Sequence, residues 1–100
     1  VEELAQWRAS GREFVLLDVR EPHEIAAASL PGAVHVPMRE VPARLDEFDP
    51  SAEFAVMCHH GGRSDQVARF LRARGFDRVH NVDGGIDAYS KRIDPSVPRY

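Results

Sequence analysis

One hundred residues, 43% of them apolar and 29% charged, suit a single compact domain with one hydrophobic core. A formal net charge of -3 at pH 7 and a pI near 5.9 give no positive field to draw nucleic acid or anionic lipid, and no apolar run approaches the roughly 18 to 20 residues that cross a bilayer. The lone cysteine cannot form an internal disulfide, and a free thiol is at home in a reducing compartment, so a cytoplasmic setting is expected. The chain begins with Val1 rather than Met, which leaves open both a removed leader and a longer parent protein.

Val1, Leu4, Ala5 and Trp7-Arg8 carry a short helical pattern, with Gly11 placed for a left-handed C-terminal cap. The continuous apolar run Phe14 to Val19 reads as a strand buried on both faces. Pro22 fits a first helical position and Glu24 a first turn, so a helix starts in "EPHEIAAAS". Pro31-Gly32 turns the chain into a second strand, Ala33 to Val36, and a short helix over Pro42 to Phe48 follows, closed by Asp49-Pro50. Glu53 to Cys58 is a third strand. Arg63 to Arg74 sets Val67, Phe70 and Leu71 at helical spacing before Gly75. Arg78 to Val82 is a last strand, Gly84-Gly85 a turn, and a closing helix runs to about Lys91. The tail "DPSVPRY" holds two prolines and is predicted to be extended. No internal repeat, low-complexity tract or linker interrupts the chain.

Strands separated by helical segments, without hairpin signals, imply right-handed crossovers and a parallel sheet with helices on both faces, a three-layer α/β/α domain over residues 1–100. Ligands in such folds bind beyond the carboxyl ends of the strands. Asp18 and Arg20, Cys58, and Asp83 all fall at strand ends and are expected on that rim.

The segment richest in chemistry is Cys58 to Ser64, "CHHGGRS", a glycine-bearing loop between a strand and a helix. A thiol attacks only as thiolate, and its ordinary pKa of about 8.5 falls where amide donors and a helix N-terminus face it. Gly61 and Gly62 allow the backbone to curl and aim successive N–H groups into an anion-binding nest. The positive end of the helix near Arg63 adds to that field. Arg63 contributes a permanent forked charge suited to oxyanions, and Ser64 is a favoured N-cap residue. Cys58 is therefore the expected nucleophile, with His59, His60, Gly61, Gly62, Arg63 and Ser64 around its substrate.

Three other readings bear on this loop. A cysteine ending a buried strand is often an inert small hydrophobe, but flanking glycines, an arginine and a helix start argue for reactivity. Cys58, His59 and His60 are all metal-ligand types, yet adjacent residues rarely converge on one tetrahedral ion, so no metal is assigned. Cysteine phosphatases resemble one another in having one residue more between cysteine and arginine than the four found between Cys58 and Arg63. The shorter loop makes a smaller nest, matched to one extra sulfur atom rather than a phosphate.

Over essentially its full length the sequence resembles the single-domain rhodaneses, a family of sulfurtransferases. The likeness is carried, in order, by "LLDVREPHE", "LPGAVHVP", "CHHGGRS" and "NVDGGIDAY". Two departures are visible: "ASLPG" where family members commonly have Gly-His before the Pro-Gly turn, and Tyr89 where a tryptophan is common. Neither touches the nucleophile. The resemblance implies a rhodanese-like sheet of about five parallel strands. It also implies transfer of a sulfane sulfur from thiosulfate or a persulfide donor, through a Cys58 persulfide, to a thiol, cyanide or protein acceptor. No cofactor is required.

Asp18 and Arg20 are expected to form an ion pair that shapes the pocket, and Arg63 to orient an anion, or else to pair with Asp65 or Asp18 and brace the loop. His59 and His60 either meet the donor's leaving group or point to solvent. His23, His35 and His80 read as ordinary surface or strand residues. Arg69, Arg72, Arg74 and Arg78 read as a solvated face, the sharper alternative being a dock for an acidic protein acceptor such as a sulfur carrier. The ending "DPSVPRY" is similar to the termini of enzymes that activate such carriers. Against the transferase stand a non-catalytic binding module and, with the loop spacing against it, a phosphatase or arsenate reductase.

Overall fold

Strand β1 (Val15–Asp18) and strand β3 (Phe54–Met57) are apolar almost throughout and lie side by side at the centre of the sheet, as residues that must be covered on both faces require. The computed structural model describes residues 1–100. Strands β2 (Val34–His35) and β4 (Val79–Asn81) complete a parallel sheet of order β2-β1-β3-β4, with Leu17 opposite Val34, Asp18 opposite Met57, and Val56 opposite Asn81. The sheet thus has the four strands marked by the apolar runs, one fewer than the resemblance implies.

Alternation along the strands divides the interior. Leu17, Val19, Phe54, Val56 and Cys58 point to one face, where Val67, Ala68 and Leu71 of helix α3 (Gly62–Ala73) cover them. Leu16, Ala55 and Met57 point to the other, under Leu4 of α1 (Glu2–Ala9) and Ile86 and Tyr89 of α4 (Gly85–Arg92). Helix α2 (Pro22–Ala27) opens with Pro22 at its first position and a reciprocal capping box between Glu21 and Glu24.

The short helix expected over Pro42 to Phe48 is present as a 3-10 segment, Pro42–Glu47, kinked at Arg44, where φ is -114°. One expectation changes. The tail begins with a turn instead of an extended run: the Val97 N–H donates to the Asp94 carbonyl at 3.1 Å, and Val97 is buried.

All four strands end on one rim, and α4 meets it end-on. Its first turn donates from Ile86 N–H to the Cys58 carbonyl at 3.0 Å and from Asp87 N–H to the His59 carbonyl at 3.1 Å. This approach is open only because Gly85, at φ +60°, has no Cβ; one built there would overlap both of those carbonyls. Gly85→Ala is expected to lose about 3 kcal/mol from left-handed backbone and overpacking together. The check is thermal unfolding, where the melting temperature should fall by more than about 10 °C.

Candidate active site

Cys58 follows the last residue of β3 and has almost no exposed surface. The chain then curls: Gly61 sits at φ +114° as the N-cap of α3, a conformation that favours glycine. Its amide donates to Cys58 Sγ at 3.0 Å, and Ser64 Oγ lies 3.3 Å from the same sulfur. Burial pushes the thiol pKa up. The Ser64 hydroxyl and the amides of Ser64, Gly61 and His60 outweigh that and hold it below its ordinary value.

Of the two loop glycines, only Gly61 requires its missing side chain. A Cβ there would come within 3.3 Å of the Gly84 amide, whereas Gly62 has open space and helical backbone. Ser64 is not the cap expected of it. It lies in the first turn of α3, fully buried, with Oγ 2.5 Å from Asn81 Oδ1 and near the sulfur.

Arg63 pairs with neither Asp65 nor Asp18. It makes a two-pronged bond to Glu24 of α2, at 2.6 and 2.8 Å, the fork matching the carboxylate. Hydrogen bonding from Arg63, working against burial, brings the Glu24 pKa down to about 2. Asp18 and Arg20 form the expected ion pair, buried completely, with contacts of 2.9 and 2.7 Å. All five guanidinium N–H groups of Arg20 are used: beyond Asp18 they reach the Glu24 and Ala28 carbonyls and the Tyr100 hydroxyl. Arg20 therefore anchors α2, and through it Glu24, without meeting the sulfur.

Sequence reasoning missed Glu24, Asn81 and Tyr100 as site residues. The Tyr100 hydroxyl donates to Glu24 at 2.9 Å and accepts from Arg20 at 2.9 Å, and its ring stacks on His59 with centroids 4.1 Å apart. His59 in turn stacks on His60 at the same separation. Burial, with help from neighbouring His60, lowers the His59 pKa. His60 is largely exposed, 3.7 Å from Asp87. A polar residue ending a strand on the rim was the one available sign for Asn81; nothing local marks Tyr100, which arrives from the far end of the chain.

The four arginines of the α3–β4 region have partners inside the chain: Arg69 with Asp65, Arg72 with the Val79 carbonyl, Arg78 with Glu53, and Arg74 over the Phe70 ring. His35 contacts the Arg20 carbonyl and His80 contacts Glu53, so both serve local structure.

Residues 1–92 match the sequence model of the rhodanese-like domain. The chain belongs to the rhodanese-like domain family. It is 35% identical over 96 residues to a protein named sulfurtransferase from Allochromatium vinosum, covering 96% of this chain and 90% of that one. It is 47% identical over 92 residues to the chloroplastic rhodanese-like/PpiC domain-containing protein 12 of Arabidopsis thaliana, covering 88% of this chain and 31% of the relative, so this chain spans under a third of that protein. Among solved structures, a rhodanese-like domain protein from Staphylococcus aureus superimposes with a TM-score of 0.84 at 29% identity, covering 99% of this chain and 93% of the other. The human single-domain sulfurtransferase gives 0.81 at 27% identity, covering 92% and 93%. The rhodanese-like α/β fold follows from these together.

The Glu24 carboxylate ties Arg63 and Tyr100 to α2, so its charge is a stability term. With its pKa lowered on folding, the stabilisation is complete above about pH 4.5 and disappears as pH falls toward about 2. Glu24→Gln is expected to cost about 2 kcal/mol at neutral pH, discounted for the partly exposed Arg63. Denaturant unfolding across that acid range should show the gap between wild type and variant closing.

Proposed function

We propose that this rhodanese-like domain is a sulfurtransferase that carries a sulfane sulfur on Cys58. The observation that carries the reading is the set of donors around one sulfur: the Gly61 amide at 3.0 Å and the Ser64 hydroxyl at 3.3 Å, in a loop capped by left-handed Gly61. The same contacts lower the thiol pKa, which raises the share of the sulfur present as the attacking thiolate. The relatives named sulfurtransferase support the same activity.

In the first half-reaction the Cys58 thiolate attacks the outer sulfur of thiosulfate or of an organic persulfide. The new S–S bond forms as the donor's own S–S bond breaks, and its electron pair leaves on sulfite or on a thiolate. The enzyme is left as Cys58-S-S⁻, with charge conserved. In the second half-reaction an acceptor thiolate, or cyanide, takes the outer sulfur and returns Cys58 as thiolate, giving ping-pong kinetics. Loop amides hold the persulfide anion as an oxyanion hole holds oxygen. Arg63 is neutralised by Glu24, so the attraction for an anionic donor comes from the amides and the α3 N-terminus. That favours a monoanionic persulfide, small or protein-borne, over dianionic thiosulfate. The free thiol suits a reducing compartment, which supports a cytoplasmic site of action. No helix is long and apolar enough to cross a membrane.

The test is the intact mass of the reduced protein before and after a donor, with Cys58→Ser in parallel. Wild type is expected to gain one sulfur atom, from an organic persulfide more fully than from thiosulfate, and to release it to cyanide as thiocyanate; the variant does neither. No uptake from thiosulfate, glutathione persulfide or mercaptopyruvate overturns the transferase and leaves a binding module.

A further inference from the structure

The Ser64 hydroxyl has one proton and two partners. Its Oγ lies 2.5 Å from Asn81 Oδ1 and 3.3 Å from Cys58 Sγ, and Ser64 is fully buried, so the competition is between those two atoms. The neighbours of Asn81 fix which way its amide faces. Asn81 Nδ2 donates to the Gly61 carbonyl at 3.2 Å and to the Asp83 carboxylate at 3.0 Å, and neither group can donate in return. Oδ1 therefore faces Ser64 as an acceptor, and the hydrogen between the two oxygens is the serine's own. While it stays there, Ser64 presents only lone pairs to sulfur. That suits a protonated thiol, which can donate S–H, and leaves a thiolate without its side-chain donor.

We propose that Asn81 is a positioning residue that holds the Ser64 proton away from Cys58 when the sulfur is neutral and releases it to Sγ when the sulfur is a thiolate. The pair then follows charge through the transfer, a purpose that rests on the sulfurtransferase reading. As the thiolate electron pair forms the bond to the donor's outer sulfur and the donor's S–S bond breaks onto its leaving group, the negative charge moves to the outer sulfur. Sγ becomes a neutral, two-bonded atom, and the Ser64 proton returns to Oδ1. Discharge to an acceptor reverses this. Each passage is a rotation of one O–H bond without heavy-atom motion.

An O–H···O contact of 2.5 Å lies at the short end of its range, so Asn81 competes well. It weakens thiolate stabilisation and thereby favours the loaded persulfide over the empty thiolate. Other charged and titratable groups border the sulfur's loop. Arg63 of α3 is paired with Glu24 of α2, His60 lies near Asp87 of α4, His59 lies under Tyr100 of the tail, and Tyr100 is bonded to Arg20 beside Asp18. Asp83 rests on the Asn81 amide. A change at Asn81 acting through any of them would not need Ser64, which gives the test its control.

The thiol is titrated by thiolate ultraviolet absorbance and by the pH dependence of iodoacetamide alkylation in wild type, Asn81→Leu, Ser64→Ala and the double variant. Asn81→Leu is expected to lower the Cys58 pKa by about one unit, the scale of one hydrogen bond to a charged acceptor. Ser64→Ala should raise it, and the double variant should match Ser64→Ala because no proton remains to be released. Asn81→Ala repeats the series with a smaller side chain should leucine not fold. An unchanged or raised pKa in the folded Asn81 variants overturns the proposal, as does an equal shift with and without Ser64. The titration reads the free thiol regardless of any transfer activity. Failure of sulfur uptake sinks the sulfurtransferase and leaves this measurement standing, whereas normal uptake with pKa values independent of Asn81 sinks the proton exchange alone.

Discussion

The arrangement of the loop depends on two hydrogen bonds from the first turn of α4 to the carbonyls of Cys58 and His59. In a planar trans peptide the C=O of one residue and the N–H of the next point in opposite directions. Binding the His59 carbonyl to α4 therefore turns the His60 N–H the other way, toward the sulfur, whose pKa it helps to lower. The nest is thus shaped from behind: α4 pulls on the oxygens, and the nitrogens present themselves in front. Gly85 makes this approach sterically open, and left-handed Gly61 completes the curl into α3. The glycines of two separate motifs serve one backbone conformation.

Charge in the site is largely spent within it. Arg63 answers Glu24, Arg20 answers Asp18, and Tyr100 links the two pairs through its hydroxyl. Stabilisation of an anion on sulfur falls to amide dipoles and a helix terminus, which are fixed by the backbone, with the Ser64 hydroxyl as the one side-chain donor. The guanidinium groups act as cross-braces between α2, α3 and the tail. An arginine in such a loop is easily read as a substrate clamp, but its fork is already filled by a carboxylate from another element.

The architecture was legible where a single physical rule dominated. Apolar runs such as Phe14–Val19 and Glu53–Cys58 announce strands covered on both faces, and the observed β1 and β3 lie inside them. Gly11 and Gly75 took the left-handed backbone that helix ends call for. Cys58 and Gly61 could be placed because their neighbours in sequence are also their neighbours in space. Glu24 could not be found this way: it reads as a good first-turn residue, which it is, and its second role depends on a contact made 39 residues later with Arg63. Ser64 looked like a cap because its chemistry suits one, but left-handed Gly61 set the helix start three residues earlier and freed the hydroxyl for Asn81 and the sulfur. The short segment after Pro42 kept a helical pattern and lost helical geometry at Arg44, a local kink that side-chain periodicity does not record.

The separation of partners along the chain divides the site into two classes. The Gly61 and Ser64 donors to Sγ lie three and six residues from Cys58, whereas Tyr100 meets Arg20 and Glu24 across 80 and 76 residues. Closing a long loop carries more entropy loss than closing a short one, and non-local contacts form slowly. The donors in front of the sulfur are therefore near neighbours within the β3–α3 connection, while the carbonyls behind them are held from α4 and the Ser64 hydroxyl is shared with Asn81 of β4. The aromatic wall beside the sulfur joins His59 and His60 of that loop to Tyr100, far along the sequence. A change at Tyr100 therefore reaches the wall and the brace on α2 while leaving the donors to the sulfur in place.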